Sequence, residues 1–253
     1  MKAVKVREVM IGEGMPKICV PIVGVTKEEI LKEAATVKSA GGDIAEWRAD
    51  WYENGCDAAS DRMILKELRE VLGKMPILFT FRTKKEGGEK EITEEAYEEL
   101  LEQVSASKEA DLIDAELFCG DERMKRIVKK AHENEVFVVA SNHDFFKTPA
   151  KEEIIGRLKK MQELDADIAK IAVMPQSRQD VLVLLDATRE MYETYARGPI
   201  VTMSMGQMGA VSRIAGEVFG SSITFGAAGK ASAPGQIEVG ALRNALLTLH
   251  GGL

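Results

Sequence analysis

The sequence predicts an α/β protein that forms a single (β/α)8, or TIM, barrel over residues 1–253, with a short N-terminal β-hairpin. Three observations lead to this prediction. Short apolar segments alternate with amphipathic segments at intervals of roughly 30 residues, the size of one strand–helix unit. The apolar segments are nearly continuous, as in a parallel sheet that helices cover on its faces. Eight such units in 253 residues match the number and length of a barrel.

The chain opens with alternating apolar and polar residues from Met1 to Gly12, and a glycine-containing turn follows at Ile11–Gly14 before Pro16. We interpret this stretch as a hairpin that precedes the first barrel unit. An open, doubly wound sheet is the alternative architecture. Its first strand is usually followed by a G-x-G-x-x-G turn, which the sequence lacks at that point, and this favours the barrel.

The predicted strands are apolar runs in which side chains alternate between two faces. The sixth run, DIAKIAVMP at Asp167–Pro175, carries a lysine at its centre. Many of the runs end in polar residues. The predicted strands are Ile18–Gly24, Ile44–Asp50, Pro76–Arg82, Leu112–Phe118, Val136–Asp144, Ile168–Met174, Pro199–Met205 and Ser222–Ala228.

Capping residues predict where the helices begin and end. Thr26 and Glu29 form a capping box, and glycines at 41 and 42 end that first helix. Thr148 and Pro149 are interpreted as the N-cap and first-turn proline of the fifth helix. The remaining predicted helices lie at Met63–Leu72, after Thr93, after Asp121, after Ser177, at Val211–Phe219 and at Ala241–His250.

Composition excludes several classes of protein. A formal net charge of -7 and a pI ≈ 5.3 argue against broad binding to nucleic acid or to anionic membranes. No stretch reaches the ~18 apolar residues of a membrane helix, and the N-terminus lacks the apolar run of a signal peptide. Cys19, Cys56 and Cys119 are scattered, which is typical of reduced thiols. We therefore expect a cytoplasmic protein, and the net charge does not exclude a small anionic substrate held by a few local arginines.

Catalytic groups of a barrel lie at the C-terminal ends of its strands and in the loops that follow. Glu46 and Arg48 share one face at the end of the second predicted strand, and Arg82 ends the third, with Glu86 four residues later. A simpler interpretation is that these charged residues are exposed to solvent and only anchor the loops. Glu46 and Arg48 could also form a structural ion pair. His143 ends the fifth strand within SNHD, so we expect it to point into the site.

Lys170 lies in the middle of the sixth strand, on the same face as Ile168 and Ala172. Neither face of the strand at Ile168–Met174 offers a neighbouring carboxylate, so the lysine either reaches water or is held desolvated. Desolvation favours the neutral amine, which attacks carbonyl carbon to form an imine. A lysine that keeps a sheet edge soluble is the alternative, and this stretch alone supports both equally.

A lysine on an apolar strand and a strand-end histidine favour imine chemistry with a separate group for proton transfer. Glu86 is suited to orient the imidazole, and Arg48, Arg82 and Arg213 are suited to bind a carboxylate or hydroxyl groups. The sequence shows no His, Cys and acidic cluster with metal-ligand spacing, and no G-x-S-x-G or Walker motif. We therefore expect no metal site.

Motifs that stand in order along nearly the whole chain together resemble the type I 3-dehydroquinate dehydratases of the shikimate pathway. Their joint order and spacing carry the resemblance, since none is decisive alone. They are EWR at Glu46–Arg48, FTFR and EGGE within Phe79–Glu89, SNHDF at Ser141–Phe145, KIAVMPQ at Lys170–Gln176, TMSMG at Thr202–Gly206, SR–GE–FGS within Ser212–Ser221, and SAPGQ at Ser232–Gln236.

The resemblance implies a barrel, usually homodimeric, that removes water from 3-dehydroquinate to give 3-dehydroshikimate without metal or cofactor. It implies that Lys170 forms the Schiff base, that His143 is the general acid and base, and that Glu86 positions His143. Arg213 would bind the substrate carboxylate. The other implied substrate-binding residues are Glu46, Trp47, Arg48, Arg82, Met203, Met205, Phe225, Ser232, Ala233, Gln236 and, by position, Pro21.

Two positions depart from the family pattern. Pro21 stands where a substrate-contacting serine is common, and Ala169 stands where a proline often precedes the lysine. We expect these changes to alter affinity at most. Two other functions stay open, a class I aldolase-type lyase and a catalytically silent barrel that binds a shikimate-pathway acid. The EWR, SNHDF and SAPGQ motifs argue against the first, and the intact Lys170, His143 and Glu86 argue against the second.

Overall fold

The computed structural model describes residues 1–252 and confirms the predicted (β/α)8 barrel. Its eight barrel strands are parallel and are arranged in sequence order. Two short strands precede them, so the barrel begins at the third strand of the chain. The barrel strands are β3 Lys17–Ile22, β4 Ile44–Arg48, β5 Ile77–Thr80, β6 Leu112–Glu116, β7 Phe137–Asp144, β8 Ile168–Val173, β9 Ile200–Ser204 and β10 Ile223–Ala227.

The seam between β9 and β10 is closed partly by a side chain. The backbone N–H of Ser222 donates to the carbonyl of Ile200 over 2.8 Å. Next to it, the backbone N–H of Thr202 donates to the Ser221 hydroxyl over 3.0 Å. A short strand that the sequence did not predict, β11 Ile237–Glu238, adds to the sheet beside β10.

The N-terminal hairpin is present, and the chain turns after Ile11 as predicted, but that turn does not join the two hairpin strands. Strands β1 Val4–Val6 and β2 Val9–Ile11 pair antiparallel, so the turn between them lies at residues 7 and 8. This register puts Val6 and Ile11 on one face, and both are buried in the cluster that fills the barrel interior. Burial of that face fixes the turn, and the hairpin covers the end of the barrel opposite the strand C-termini.

Nine α-helices lie among the described residues, and the predicted capping box of the first is confirmed. The Thr26 hydroxyl accepts from the N–H of Glu29, and the Glu29 carboxylate accepts from the N–H of Thr26. Gly41 ends this helix in the left-handed region. The helices are α1 Lys27–Ala40, α2 Ala58–Leu72, α3 Glu94–Ser107, α4 Asp121–Glu133, α5 Lys151–Glu163, α6 Arg178–Glu190, α7 Ala210–Ile214, α8 Gly216–Phe219 and α9 Val239–His250.

Three predicted helix boundaries are wrong. Helix α2 begins five residues early because the Asp57 carboxylate caps it through the N–H of Ala59. Helix α5 begins after Ala150, whose extended backbone separates the helix from the proline predicted to open it. The segment predicted as one helix at 211–219 is divided at Ala215, where the backbone leaves helical geometry.

Alternation along the strands divides the core into two layers. The outer layer lies between the strands and the helices and contains Ala169 and Ile171 of β8. The inner layer fills the barrel and contains Ile168 and Ala172, so Lys170 between them points inward as predicted. Among residues 1–252, none of the helices combines the length and apolar character needed to cross a membrane.

Candidate active site

Lys170 lies inside the barrel with 4% of its side chain exposed. Its Nζ is 3.1 Å from Oδ2 of Asp114 on β6 and 3.8 Å from Oε1 of Glu46 on β4. The ammonium also lies 4.7 Å from the ring centroid of Phe225 on β10. The lysine is therefore buried with counter-ions that other strands supply. The sequence of its own strand contains no carboxylate and was therefore also compatible with a lysine surrounded only by apolar side chains.

Asp114 is a functional candidate that sequence reasoning missed. Its side chain is fully buried, and its Oδ1 accepts from Arg82 Nη2 over 2.8 Å and from the Ser141 hydroxyl over 2.6 Å. Burial alone would raise the pKa of this carboxyl, but Arg82 and Lys170 hold it below its ordinary value. The available signal was period-two spacing, because Asp114 shares a strand face with Glu116.

His143 and Glu86 form a buried pair at the C-terminal end of the barrel. Glu86 ends a 3-10 turn at Lys84–Glu86, and its Oε2 lies 2.9 Å from Nδ1 of His143. The same oxygen accepts from the backbone N–H of His143 over 2.9 Å, and Oε1 accepts from the Asn142 amide over 3.1 Å. Within the described chain, Nε2 of His143 makes no hydrogen bond, so this nitrogen is free for a substrate.

Burial lowers the pKa of His143 well below its ordinary value, and the nearby cations of Arg82, Lys170 and Arg48 lower it further. The imidazole is therefore neutral at neutral pH and can accept a proton. This is the protonation state that a general base requires.

Burial raises the pKa of Glu86, and the negative charge of Glu116 adds to this, whereas Arg82 and the amide of Asn142 oppose it. Its oxygens face three donors, the Asn142 amide and the backbone and ring of His143. A carboxylate satisfies all three. The geometry thus directs the Nδ1 proton of the imidazole toward Glu86 and leaves Nε2 as the acceptor.

Arg213 of α7 is a buried cation with no acidic partner within residues 1–252. Its Nη2 donates to the carbonyl of Pro234 over 3.0 Å, Nη1 lies 4.0 Å from the sulfur of Met203, and Nε has no partner among the described residues. Burial lowers the pKa of this guanidinium to about 10. A buried charge without a counter-ion is costly, so the site is suited to receive an anion.

The other predicted cations are already paired. Arg48 donates from Nε and Nη2 to the two oxygens of Asp50, each over 2.8 Å. The ion pair between Glu46 and Arg48 that the sequence left open is therefore absent from the described chain. Glu46 instead accepts from the Thr80 hydroxyl over 3.0 Å.

The loop at residues 229–236 closes over these side chains. Gln236 accepts from the backbone N–H of Ser232 over 2.9 Å and donates to its hydroxyl over 3.0 Å. The carbonyl of Pro234 accepts from the N–H of Gly206 over 3.1 Å, in addition to its bond from Arg213. The loop is thus fixed both to itself and to the rim of the barrel.

These side chains enclose a cavity of about 40 Å³, which holds only a few water molecules. A substrate with a six-membered ring needs more room, so we expect the loop to open when a ligand enters. The predicted residues that line the cavity are Glu46, Arg48, Arg82, Glu86, His143, Lys170, Met203, Met205, Arg213, Phe225, Ser232, Ala233 and Gln236.

Two predicted substrate-binding residues lie outside the cavity lining. Trp47 points to the outer layer because its neighbours on β4 point inward, and it is fully buried against Phe79 at 5.5 Å and Tyr52 at 6.1 Å between ring centroids. The structure therefore gives Trp47 a packing position without access to the substrate. Pro21 faces inward by alternation and pairs in register with Glu46, but it does not reach the cavity.

The sequence missed three lining residues, Gly87, Phe145 and Ala172. The Phe145 ring lies over the His143 ring with centroids 6.5 Å apart and an interplanar angle of 23°. Its position two residues after His143 was the available signal, because both side chains lie on the same side of an extended chain. Among residues 1–252, no group of three or more His, Cys, Asp or Glu side chains is arranged to hold a metal ion.

Comparison with known proteins agrees with this geometry. The family model described as type I 3-dehydroquinase matches residues 18–252. The 3-dehydroquinate dehydratase of Clostridioides difficile strain 630 is 53% identical over 249 residues, which is 98% of each chain. That of Bacillus subtilis strain 168 is 52% identical over 250 residues, 99% of this chain and 98% of the relative.

Solved structures give the same result. The type I 3-dehydroquinate dehydratase from Clostridium difficile with covalently modified comenic acid has a TM-score of 0.97 at 53% identity, and the match covers 100% of this chain and 99% of that one. The 3-dehydroquinate dehydratase from Enterococcus faecalis has a TM-score of 0.91 at 47% identity, with 97% and 98% covered. The chain belongs to the type I 3-dehydroquinate dehydratase family.

Proposed function

We propose that this chain removes water from 3-dehydroquinate to give 3-dehydroshikimate through an imine formed by Lys170. Family membership supports the hydro-lyase activity and argues against the aldolase-type alternative. The observation that carries the mechanism is the composition of one cavity. Lys170, His143 and Arg213 supply an amine, a base and an unpaired cation to its lining.

The reaction begins when the Lys170 ammonium gives up a proton and the free amine attacks the ketone carbon. That proton and a second N–H proton leave with the carbonyl oxygen as water, which gives an iminium. The iminium withdraws electrons and acidifies the neighbouring C–H bond, so a modest base is sufficient. Nε2 of His143 accepts that proton, and an enamine forms. The enamine expels the hydroxyl group from the next carbon, and the protonated His143 donates its proton to the departing oxygen. Water then hydrolyses the imine and releases Lys170.

Glu86 positions the base in this proposal. It accepts from the ring and the backbone of His143, which fixes the orientation of the imidazole and the tautomer with Nε2 unprotonated. The same contact stabilises the imidazolium once His143 has taken the proton.

Arg213 would bind the substrate carboxylate, since it is the buried cation whose charge the described chain leaves unbalanced. Ser232 and Gln236 would close over the ligand from the loop, together with Ala233. Glu46, Arg48 and Arg82 would hold the ring hydroxyl groups, and the apolar walls would be Met203, Met205 and Phe225.

Two measurements test the proposed function. Purified protein mixed with 3-dehydroquinate should produce the ultraviolet absorbance of a conjugated enone. Borohydride added together with 3-dehydroquinate should inactivate the protein and add the ligand mass to the peptide that contains Lys170, whereas borohydride alone should do little. Labelling of a different lysine, or activity that persists in Lys170→Ala, would overturn the assignment.

We also propose that residues 1–253 form one domain and that the chain acts as a homodimer in the cytoplasm. Phe118 and Phe146 are 64% and 86% exposed at the edge of a cavity of about 820 Å³, and such apolar exposure supports a contact surface. Light scattering during gel filtration should give twice the chain mass. Calorimetry should give one unfolding transition.

A further inference from the structure

We propose that Asp114 is the fixed counter-ion of the Lys170 nitrogen throughout the reaction, and that it keeps the imine protonated as the iminium while His143 removes the C–H proton. This inference rests on the proposed imine mechanism. It assigns a catalytic role to a residue that contacts the Lys170 nitrogen but does not line the cavity.

The charge balance of imine formation shows why a fixed counter-ion suits this step. A lysine ammonium and a ketone give an iminium and water, so a C–N bond forms and the C–O bond breaks. Two of the three N–H protons leave with the carbonyl oxygen as water, and one stays on nitrogen. The nitrogen therefore carries one positive charge before and after the step, and the same carboxylate balances both states.

Distance favours Asp114 over Glu46 for this role. Nζ of Lys170 donates a hydrogen bond to Oδ2 of Asp114 over 3.1 Å, whereas Oε1 of Glu46 is 3.8 Å away and already accepts from Thr80. Both Lys170 and Asp114 are buried, and a charge interaction is stronger there than in water. The one N–H that remains on the iminium can keep the bond to Asp114.

The surroundings of Asp114 indicate a counter-ion and not a base. Its other oxygen, Oδ1, accepts from Arg82 and from the Ser141 hydroxyl, so both oxygens are occupied by donors. These donors fix the orientation of the carboxylate. A proton on either oxygen would compete with the hydrogen bonds that it accepts, so the donors favour the ionised form. The lowered pKa of Asp114 agrees with this geometry. Proton transfer is left to His143.

Asp114→Asn tests the proposal because asparagine keeps the shape and one oxygen acceptor but removes the charge. The measurement is the yield of borohydride-reduced adduct on Lys170, with 3-dehydroquinate, as a function of pH. Borohydride reduces an iminium much faster than a neutral imine. Without the carboxylate the iminium should lose its proton at lower pH, so trapping should decline as pH rises and recover on acidification. The wild-type yield should stay flat over that range.

We expect kcat to fall by roughly 10²–10³-fold in Asp114→Asn, as for removal of one preorganised electrostatic partner of a reacting group. Glu116→Gln is the matched control. Glu116 lies on the same strand face, is buried, and accepts from Arg82 over 2.9 Å, but it makes no contact with Lys170. Loss of packing or of Arg82 orientation would affect both variants, whereas the shifted trapping profile should appear only in Asp114→Asn.

The profile compares pH values within one variant, so partial unfolding does not imitate the shift. If Asp114→Asn does not fold, Asp114→Ser removes the same charge with a smaller side chain. A trapping profile that matches the wild type, or the same shift in Glu116→Gln, would overturn the role of Asp114. Failure of the wild type itself to form a Lys170 adduct at any pH would instead overturn the proposed imine mechanism.

Discussion

At the scale of single residues, Arg213 carries the strongest requirement for a ligand, because its buried guanidinium has no acidic partner in the described chain. Arg213→Ala should therefore raise KM for 3-dehydroquinate by roughly 10- to 100-fold, because the substrate loses one hydrogen-bonded charge pair. The effect on kcat should be smaller. Steady-state kinetics measure this. Arg189→Ala, at a half-exposed surface residue paired with Asp186, is the control. A KM near the wild-type value in Arg213→Ala would remove it from carboxylate binding.

Glu86 controls the pH dependence of the proposed base. Lowering the pH protonates the Glu86–His143 pair, and kcat/KM should fall because a protonated Nε2 cannot accept the C–H proton. Glu86→Gln removes a negative charge 2.9 Å from the imidazole, so the acid limb should move to lower pH. The maximal rate should fall as well, but less than in His143→Ala. An acid limb that stays in place in Glu86→Gln would show that this pair does not determine the profile.

Asp61 of α2 is a buried carboxyl away from the site, and no described side chain donates a hydrogen bond to either of its oxygens. Burial raises its pKa to about 7. The folded protein therefore binds this proton more tightly than the unfolded chain does. The contribution of Asp61 to the free energy of unfolding is greatest below the ordinary pKa of ~3.9 and is lost as pH rises through about 7.

Asp61→Asn should consequently stabilise the protein above that pH, by an amount on the order of 1–3 kcal/mol. Urea denaturation at several pH values measures it, with exposed Asp165→Asn as the control. The gain should shrink as the pH is lowered. A variant that is no more stable than the wild type in alkaline buffer would contradict the burial cost assigned to Asp61.

Strand periodicity identified residues that point into the barrel from their own strands, such as Lys170, His143 and Arg48. It could not show which of them meet. Asp114 reaches Lys170 only because the barrel strands are tilted and staggered. In the register of β6, β7 and β8, Lys170 pairs with Ser141 and through it with Glu116, so Asp114 lies two residues earlier along its strand. That register is set by packing across the whole sheet. For Trp47 the periodicity was the better guide. The EWR motif led to its prediction as a substrate-binding residue, whereas alternation along the strand points it to the outer layer.

At the scale of elements, the local capping-box signal was reliable, although the local signal of Thr148 and Pro149 was not. Features that depend on distant packing were not predicted. The capping box of α1 involves only neighbouring residues, and the sequence predicted it correctly. The hairpin turn depends on burial of Val6 and Ile11 beneath the barrel. The break between α7 and α8 lies next to Gly216, which packs against Pro16 and Ser221. Neither contact can be derived from the local sequence.

The loop at 229–236 offers a test of closure. A Cβ atom at Gly235 would lie 2.3 Å from the carbonyl oxygen of Gly206, and Gly235 also has a φ of 78°. Gly235→Ala should therefore prevent the loop from seating and raise KM, while imine chemistry on bound substrate continues. Exposed Ala231→Ser is the matched control in the same loop.

Proteolysis gives a second measurement of this closure. The loop should be cleaved in the free enzyme and protected after borohydride has fixed the ligand on Lys170, because closure removes the segment from the protease. Gly235→Ala should remain cleavable in both states. Equal cleavage of the wild type with and without the fixed ligand would count against closure.

At the scale of the whole molecule, the repeat of strand and helix predicted the barrel because it recurs along the entire chain. The closed barrel collects charges from β4, β6, β8 and the loop after β5 into one interior network around Arg82 and Lys170. The ends of these strands lie far apart in sequence. The barrel therefore creates the site by placing an amine, its counter-ions and a separate base on different strands.

Central to the mechanism is that Lys170 forms the imine while His143 transfers the protons, and one measurement tests this directly. His143→Ala is mixed with 3-dehydroquinate, quenched with borohydride and analysed by peptide mass spectrometry, with Lys170→Ala as the control that cannot form the adduct. We predict a reduced ligand on Lys170 with almost no 3-dehydroshikimate, because condensation proceeds while C–H removal and loss of the hydroxyl have no positioned partner. The rate should fall by about 10⁴-fold or more. Turnover near the wild-type rate, or no adduct on Lys170, would contradict the account.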